Sequence, residues 1–381
     1  MTDAASNRPK LDPEEILAGI RRWVDVESPS HDGPAVNKVV DLAADELGKL
    51  DLNLERMPGR DGRGDVLAAR SPWGGDGKGI LILGHLDTVH PHGTLAHELK
   101  WRREGDKVYG PGIYDMKAGA YMAMHAYRHI IREGRETPLP IRFMFVPDEE
   151  IGSTTSRAAI EAAAAQSKYV LVCEPARDGG KCVTSRKGTG DFTLEFHGRP
   201  SHAGLRHQDG RNAINEAARQ ILKIAAMTDY DREITASCDM ISGGTATNVV
   251  AAYCKVAVDI RAPDVPRMDE LCARIRALTP EDPDVRIEIS GGANRPGYVK
   301  DAGIAALFEH ARGLAAELGF DLQDTFSGGG SDGNFTAAMG VPTLDGLGAD
   351  GAGAHTLDEY VYYSSLTERT ALLIRLMETL R

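Results

Sequence analysis

Short apolar runs alternate with longer stretches of helical spacing between residues 79 and 173. The runs are residues 80–83 (ILIL), 141–146 (IRFMFV) and 169–172 (YVLV). Between them, residues 116–131 carry Met, Ala and Tyr at helical intervals, and residues 155–165 are rich in alanine with few breakers. That alternation predicts parallel βαβ units with crossover helices. From about residue 191 to residue 290 the period drops to two, with Phe192, Leu194 and Phe196 on one face of a half-exposed strand. A helix follows, its apolar positions Ile214, Ala217, Ala218, Ile221, Leu222 and Ala225 falling three and four apart. An extended stretch near residues 234–240, an alternating strand over 249–260, a helix over 266–278 and a strand over 285–289 complete the order β-α-β-β-α-β, the ferredoxin-like plan. Residues 185–190 and 291–297, rich in Gly and small polar residues, read as linkers. Beyond Tyr298 the pattern returns to helix (302–318), strand (341–344) and a last helix ending at Arg381. The expected architecture is α/β. One domain, with a mostly parallel sheet flanked by helices, is divided between residues 1–186 and 298–381, and a second is inserted at 187–297.

Composition narrows the class. A length of 381 residues fits two or three domains, and 42% hydrophobic with 26% charged residues is globular usage. No apolar stretch approaches the roughly 18–20 residues that cross a bilayer. The opening, MTDAASNRPKLDPEE, lacks the apolar centre of a secretory signal, so a soluble, cytoplasmic protein without a membrane partner is expected. Lys and Arg number 44 against 56 Asp and Glu, and the resulting charge of −12 argues against nucleic acid as a partner. The five cysteines, Cys173, Cys182, Cys238, Cys254 and Cys272, form no C-x-x-C pair and read as buried reduced thiols.

Three predicted parallel strands end in chemistry. They run into residues 84–87 (GHLD), 147–150 (PDEE) and 173–175 (CEP). Ligands of open α/β sheets bind outside the carboxyl ends of the strands, where these groups would converge. One carboxylate after a strand is ordinarily a helix cap or a solvated charge, but three strands ending this way point to a shared site. Histidine plus several carboxylates without a thiolate suits a two-metal hydrolytic centre, in which a bridging carboxylate holds two divalent ions. The bridge candidate is Asp115 in residues 110–117 (GPGIYDMK), a glycine-rich turn opening a helix, where its other reading is an N-cap.

His85-x-Asp87 after an apolar strand, Asp115 before a helix, Glu149-Glu150 and Glu174 after later strands, and His355 in residues 353–359 (GAHTLDE) resemble the M20 metallopeptidases. These include glutamate carboxypeptidases, aminoacylases and succinyl-diaminopimelate desuccinylases. The match is collinear from about residue 80 to the C-terminus. Residues 110–113, 148–150 and 169–175 most resemble the glutamate carboxypeptidase branch. The resemblance implies a dinuclear catalytic domain with an inserted lid and dimerisation domain. One metal would be held by His85, Asp115 and Glu174 and the other by Asp115, Glu150 and His355. Three ligand carboxylates against two dications leave about +1, which attracts an anionic substrate. Asp87 would fix the His85 ring without touching metal. Glu149 would be the general base, taking a proton from metal-bound water as it attacks the carbonyl, with a metal-bridging hydroxide as the nucleophile, and passing that proton to the leaving amine. His202, in residues 198–204 (GRPSHAG), matches a lid histidine that reaches a neighbouring subunit's site and donates to the oxyanion. Asn248 and Arg261 match substrate-contacting positions, as do Gly330 and Ser331 in a Gly-Gly-Gly-Ser-Asp loop whose amides could meet a carboxylate. Without the resemblance, each reads as a turn or surface residue.

The implied activity is hydrolysis of an amide next to a carboxylate, on a small molecule or short peptide, by a homodimer. Zinc is the expected metal, and Mn²⁺ or Co²⁺ suit the same donors. Alternatives are hydrolysis of another C–N bond, such as one on an aromatic compound, and a silent small-molecule binder. The G-x-G-x-x-G at residues 328–333 lacks the preceding strand of a dinucleotide site. Met116 and Ala118 depart from the branch's usual acidic residue and glycine. The family also implies a cis peptide after Asp115.

Overall fold

The computed structural model describes residues 9–75 and 77–381. They form two compact units. The first runs to Ser185 and resumes over Lys300–Phe326 and Ser331–Arg381; the second comprises Arg186–Val299 with Ser327–Gly330.

The first unit is built on a six-stranded sheet. Its order is Asn53–Met57, Val66–Arg70, Ile141–Val146, Gly79–His85, Ser167–Val172 and Thr343–Leu344. The last four are mutually parallel, and near one edge Val66–Arg70 is antiparallel to both of its neighbours, Asn53–Met57 and Ile141–Val146. All of Gly79–His85 is buried, because alternate residues face two apolar layers. Ile80 and Ile82 pack with the helices Pro13–Val24, Gly33–Leu47, Ala118–Arg132, Ala302–Leu318 and Tyr363–Thr379. Leu81 and Leu83 pack with Ile160 and Phe335, from the helices Arg157–Ala165 and Gly333–Ala338. Helix starts follow local chemistry: Asp12, Asp32 and Asp301 accept backbone N–H groups as N-caps.

In the second unit the strands Thr235–Gly243, Tyr253–Ala262, Gly188–His197 and Arg286–Arg295 lie in that order, all antiparallel. Helices Ala213–Ala225 and Val265–Arg276 cover one face, sealing Phe192, Leu194, Phe196, Val256, Val258 and Ile260.

Several expectations change. The helix expected from residue 116 begins at Ala118, because Asp115 and Met116 are non-helical, with a cis peptide between them. The strand expected from residue 249 begins at Tyr253. The two glycine-rich linkers are largely strand: Gly190 pairs with Ala293 and Asp191 with Gly292. Glycine is needed there for close approach, since a Cβ on Gly190 would lie 2.5 Å from the Gly292 carbonyl and Gly291 sits at φ 105°. Unforeseen elements are the helices and strands before residue 79 and a small antiparallel sheet of Gly351–Ala352, Tyr360–Tyr362, Lys107–Tyr109 and Arg102–Glu104. No described helix is long and apolar enough to cross a membrane.

Candidate active site

The parallel register sets the site. Leu83 pairs with both Met144 and Val172, so three strands end level and deliver His85, Glu149-Glu150 and Glu174 to one edge. Asp115 arrives on the loop before Ala118–Arg132, and His355 on the turn before Tyr360–Tyr362. His85 Nε2 lies 3.2 Å from Asp115 Oδ1 and 3.7 Å from Glu174 Oε1. His355 Nε2 lies 3.4 Å from Asp115 Oδ2 and 3.0 Å from Glu150 Oε2. Each Asp115 oxygen thus faces a different imidazole. A Glu149 oxygen lies within 4.8 Å of the His85 and Glu174 ligand atoms. His85, Asp115, Glu149 and Glu174 are buried, whereas the His355 side chain is 54% exposed and marks the open side. His355 adopts φ 64°, an uncommon conformation for a non-glycine residue and one often found at functional sites.

Asp87 lies behind this cluster. Its backbone oxygen is 3.0 Å from His85 Nδ1 and its Oδ1 is 3.4 Å away. Its carboxylate also accepts the Ser30 hydroxyl at 2.7 Å and the N–H groups of Glu149 and Glu150, each at 3.2 Å. Asp87 therefore holds the Glu149-Glu150 turn as well as facing the ring. Lys117 is buried and donates to the Val26 carbonyl at 2.7 Å, and burial pulls its amine down to about 7.

Among the protein groups alone, the site calls for positive charge. Burial opposes the charge of Asp115, yet His355 and His85 hold its carboxyl well below the usual range. His85 is buried too, and Asp115 and Asp87 outweigh that burial to lift its imidazole well above the ordinary value. Asp115 and Glu150 push His355 up to about 11. Burial and the Asp115 charge push Glu150 up to about 7. Glu150 Oε1 is buried without a hydrogen-bond partner among the described residues, so a lone pair is available to a ligand. Two imidazoles and several carboxylates, one able to bridge, fit a pair of divalent cations.

The model of peptidase family M20/M25/M40 matches residues 81–379, a span containing every one of these groups except Ser30 and Val26. The chain belongs to that family. Membership makes it a metallohydrolase acting on C–N bonds. Carboxypeptidase G2 from Pseudomonas sp. (strain RS-16) is 28% identical over 373 residues, covering 95% of this chain and 88% of that protein. The succinyl-diaminopimelate desuccinylase of Nitrosospira multiformis is 28% identical over 373 residues, 91% of this chain and 94% of its own. Aminopeptidase PepT from Bacillus cereus shares the fold, with a TM-score of 0.76 at 22% identity over 97% of this chain and 98% of that chain.

The other expected residues of this M20 chain divide. In the second unit, His202 Nδ1 accepts the N–H groups of Gly204 and Leu205, both at 3.1 Å, which leaves its proton on Nε2. The Asn248 carbonyl accepts the Ala203 N–H at 2.9 Å, tying the two loops. Arg261 is engaged by Asp259, with Nε and Nη2 each 2.8 Å from a carboxylate oxygen, and Nη1 lies 3.4 Å from the Gly328 carbonyl. The Gly330 carbonyl accepts from Arg186 at 3.4 Å. Ser331 is buried; its N–H donates to Asn334 Oδ1 at 2.9 Å and its hydroxyl to Asp345 Oδ2 at 2.5 Å. Glu195, His197 and Glu288 also cluster, on the second unit's sheet. There the Tyr253 hydroxyl donates to Glu195 at 2.5 Å, while Glu288 pairs with Arg286 and lies 3.6 Å from His197 Nε2.

Sequence reasoning missed one residue at the centre. Glu359, quoted only as the end of the His355 motif, is buried against the Asp115 loop, where its carboxylate accepts three backbone N–H groups. The available signal was a carboxylate four residues after the candidate ligand His355, in the same short motif.

Proposed function

We propose that the chain hydrolyses an amide bond next to a carboxylate, using two divalent cations held by His85, Asp115 and Glu174 on one side and Asp115, Glu150 and His355 on the other. The observation that carries this reading is the Asp115 carboxylate, with one oxygen toward His85 and the other toward His355. Zinc suits this donor set, and Mn²⁺ or Co²⁺ would fit it too. Bound cations would polarise the substrate carbonyl and lower the pKa of the attacking water. Glu149 would accept the water's proton and return it to the departing amine. Asp87 would keep Glu149 in place through the Glu149 N–H. His202, with its proton on Nε2, would donate to the developing oxyanion from a ferredoxin-like lid. Arg261, Asn248 and Gly330 would meet the substrate.

A carboxylate-bearing substrate is favoured by two relatives. One is a carboxypeptidase and the other removes a succinyl group, which itself carries a carboxylate. We further propose a homodimer through the second unit. Its edge strand Thr235–Gly243 exposes Met240 and Ile241, and the neighbouring helix Ala213–Ala225 exposes Ile214 and Leu222. The test is amino-acid release from N-acyl and peptidyl substrates ending in Glu, Asp, Ala, Leu and Lys, with Zn²⁺- or Mn²⁺-loaded enzyme and chelator controls. Chelator-sensitive release, strongest for Glu or Asp, is expected. Absence of release from the whole panel by metal-loaded enzyme would turn the search to other C–N bonds.

A further inference from the structure

Three separate chain segments bring His85, Asp115 and His355 together, and one buried carboxylate touches all three. Glu359 is 1% exposed. Its Oε1 accepts the N–H groups of Tyr114 at 2.8 Å and Asp115 at 3.0 Å. Its Oε2 accepts the Gly112 N–H at 2.9 Å and lies 2.6 Å from His90 Nε2. His90 stands on the segment that leaves His85, and Glu359 closes the turn that carries His355. The backbone repeats the connection: the Gly110 N–H lies 3.4 Å from the Glu359 carbonyl, and Tyr360 pairs with Tyr109 in the small sheet.

Local chemistry favours this arrangement. Gly112 adopts φ 67°, which turns successive amides toward one point, and a Cβ there would lie 2.3 Å from Thr88 Cγ2. Amides converging this way form a seat for an anion, and Glu359 fills it with charge-assisted hydrogen bonds. Because the Asp115 N–H is one of the donors, Glu359 sets where the Asp115 carboxylate points. Because Glu359 follows His355 in the same turn, it also sets the distance between that histidine and Asp115.

We infer that Glu359 is a positioning residue that fixes the Asp115 bridge relative to His85 and His355, with His90 as its hydrogen-bonded anchor. The inference rests on the two-cation reading. A brace with only a structural role would lower stability yet leave the ligand geometry of the folded protein unchanged, so the readout must report the bound ion directly. Co²⁺ affinity, by competition with a chromophoric chelator, and the Co²⁺ visible spectrum do so independently of turnover. Full-length wild type, Glu359→Ala, Glu359→Gln and His90→Ala would be compared, with circular dichroism to confirm folding. Glu359→Ala should weaken Co²⁺ binding by about 10–100-fold and alter the spectrum, as expected when a partner that orients metal ligands is removed. It should lower kcat more than it raises KM. Glu359→Gln keeps one acceptor oxygen but turns an NH₂ toward amide donors, and its effect should fall between wild type and Ala. His90→Ala leaves the three amide bonds intact and should have the smallest effect.

Wild-type Co²⁺ affinity and spectrum in either folded Glu359 variant, whatever its melting temperature, would overturn the inference. Should the Ala variant fail to fold, the Gln variant decides alone. If wild type binds no pair of ions, the two-cation reading fails first and the inference with it; a wild-type pair with unaffected variants overturns the inference alone.

Discussion

Glu149 and Glu150 are adjacent in sequence, yet they face different partners. They open the tight turn Glu149–Ile151, where successive side chains diverge by about a third of a revolution. Glu149 is thereby sent toward His85 and Glu174, and Glu150 toward His355. The proposed roles follow that split. Glu149→Gln should cut kcat by about 10²–10⁴-fold, as loss of a general base typically does. Its metal content, measured by elemental analysis, should remain that of wild type, and near-normal turnover would remove the assignment. The ligands themselves should make cation binding depend on pH. His355 is pushed up to about 11, His85 lies well above its ordinary value and Glu150 is pushed up to about 7, so each must surrender a proton to ligate at neutral pH. Binding therefore releases protons, and affinity should rise with pH. Competition titrations across about pH 6–8 should show log affinity climbing by at least about one per pH unit. A flat profile would remove the imidazoles from the ligand set.

At the scale of elements, the site depends on how closely backbones approach. Gly119, in the first turn of Ala118–Arg132, touches the strand end that carries Glu174: a Cβ there would lie 2.0 Å from the Cys173 carbonyl. Gly119→Ala must push this helix, and the Asp115 loop before it, away from Glu174. The expected cost is about 1–3 kcal/mol of stability, typical of overpacking and measurable by denaturant titration, together with weaker metal binding. A neutral result would mean that the helix and strand do not need this contact. The core strands were legible in the sequence because strands buried on both faces read as continuous apolar runs, as residues 141–146 and 169–172 do. The strand ends near Gly190 and Gly291 were not. Glycine signals a turn in sequence, and only the pairing of these strands shows that it serves close approach. The small sheet was illegible for a related reason, since strands two or three residues long carry no period.

At the scale of the whole molecule, the second unit presents an apolar surface. Exposed apolar side chains on the helix and edge strand of one unit, Leu222 at 73% and Met240 at 72%, are expected to be covered by a second copy. Sedimentation should report a dimer, and Met240→Glu with Leu222→Glu should shift it toward monomer. If His202 serves a neighbouring subunit, mixing the inactive variants His202→Ala and Glu149→Ala should restore part of the activity. Failure in a mixture shown to contain heterodimers would confine His202 to its own chain. The sequence by itself determined the family, the His, Asp and Glu residues proposed to hold metal and the strands that deliver His85, Glu150 and Glu174. Those features are local, since an apolar run followed by a ligand can be read without knowing what lies beside it. Only the tertiary structure decided which oxygen faces which imidazole, that Ser331 donates to Asn334 and Asp345 and that Asp87 holds the Glu149-Glu150 turn. It also revealed Glu359, because hydrogen bonds between residues about 250 positions apart leave no periodic trace in the chain.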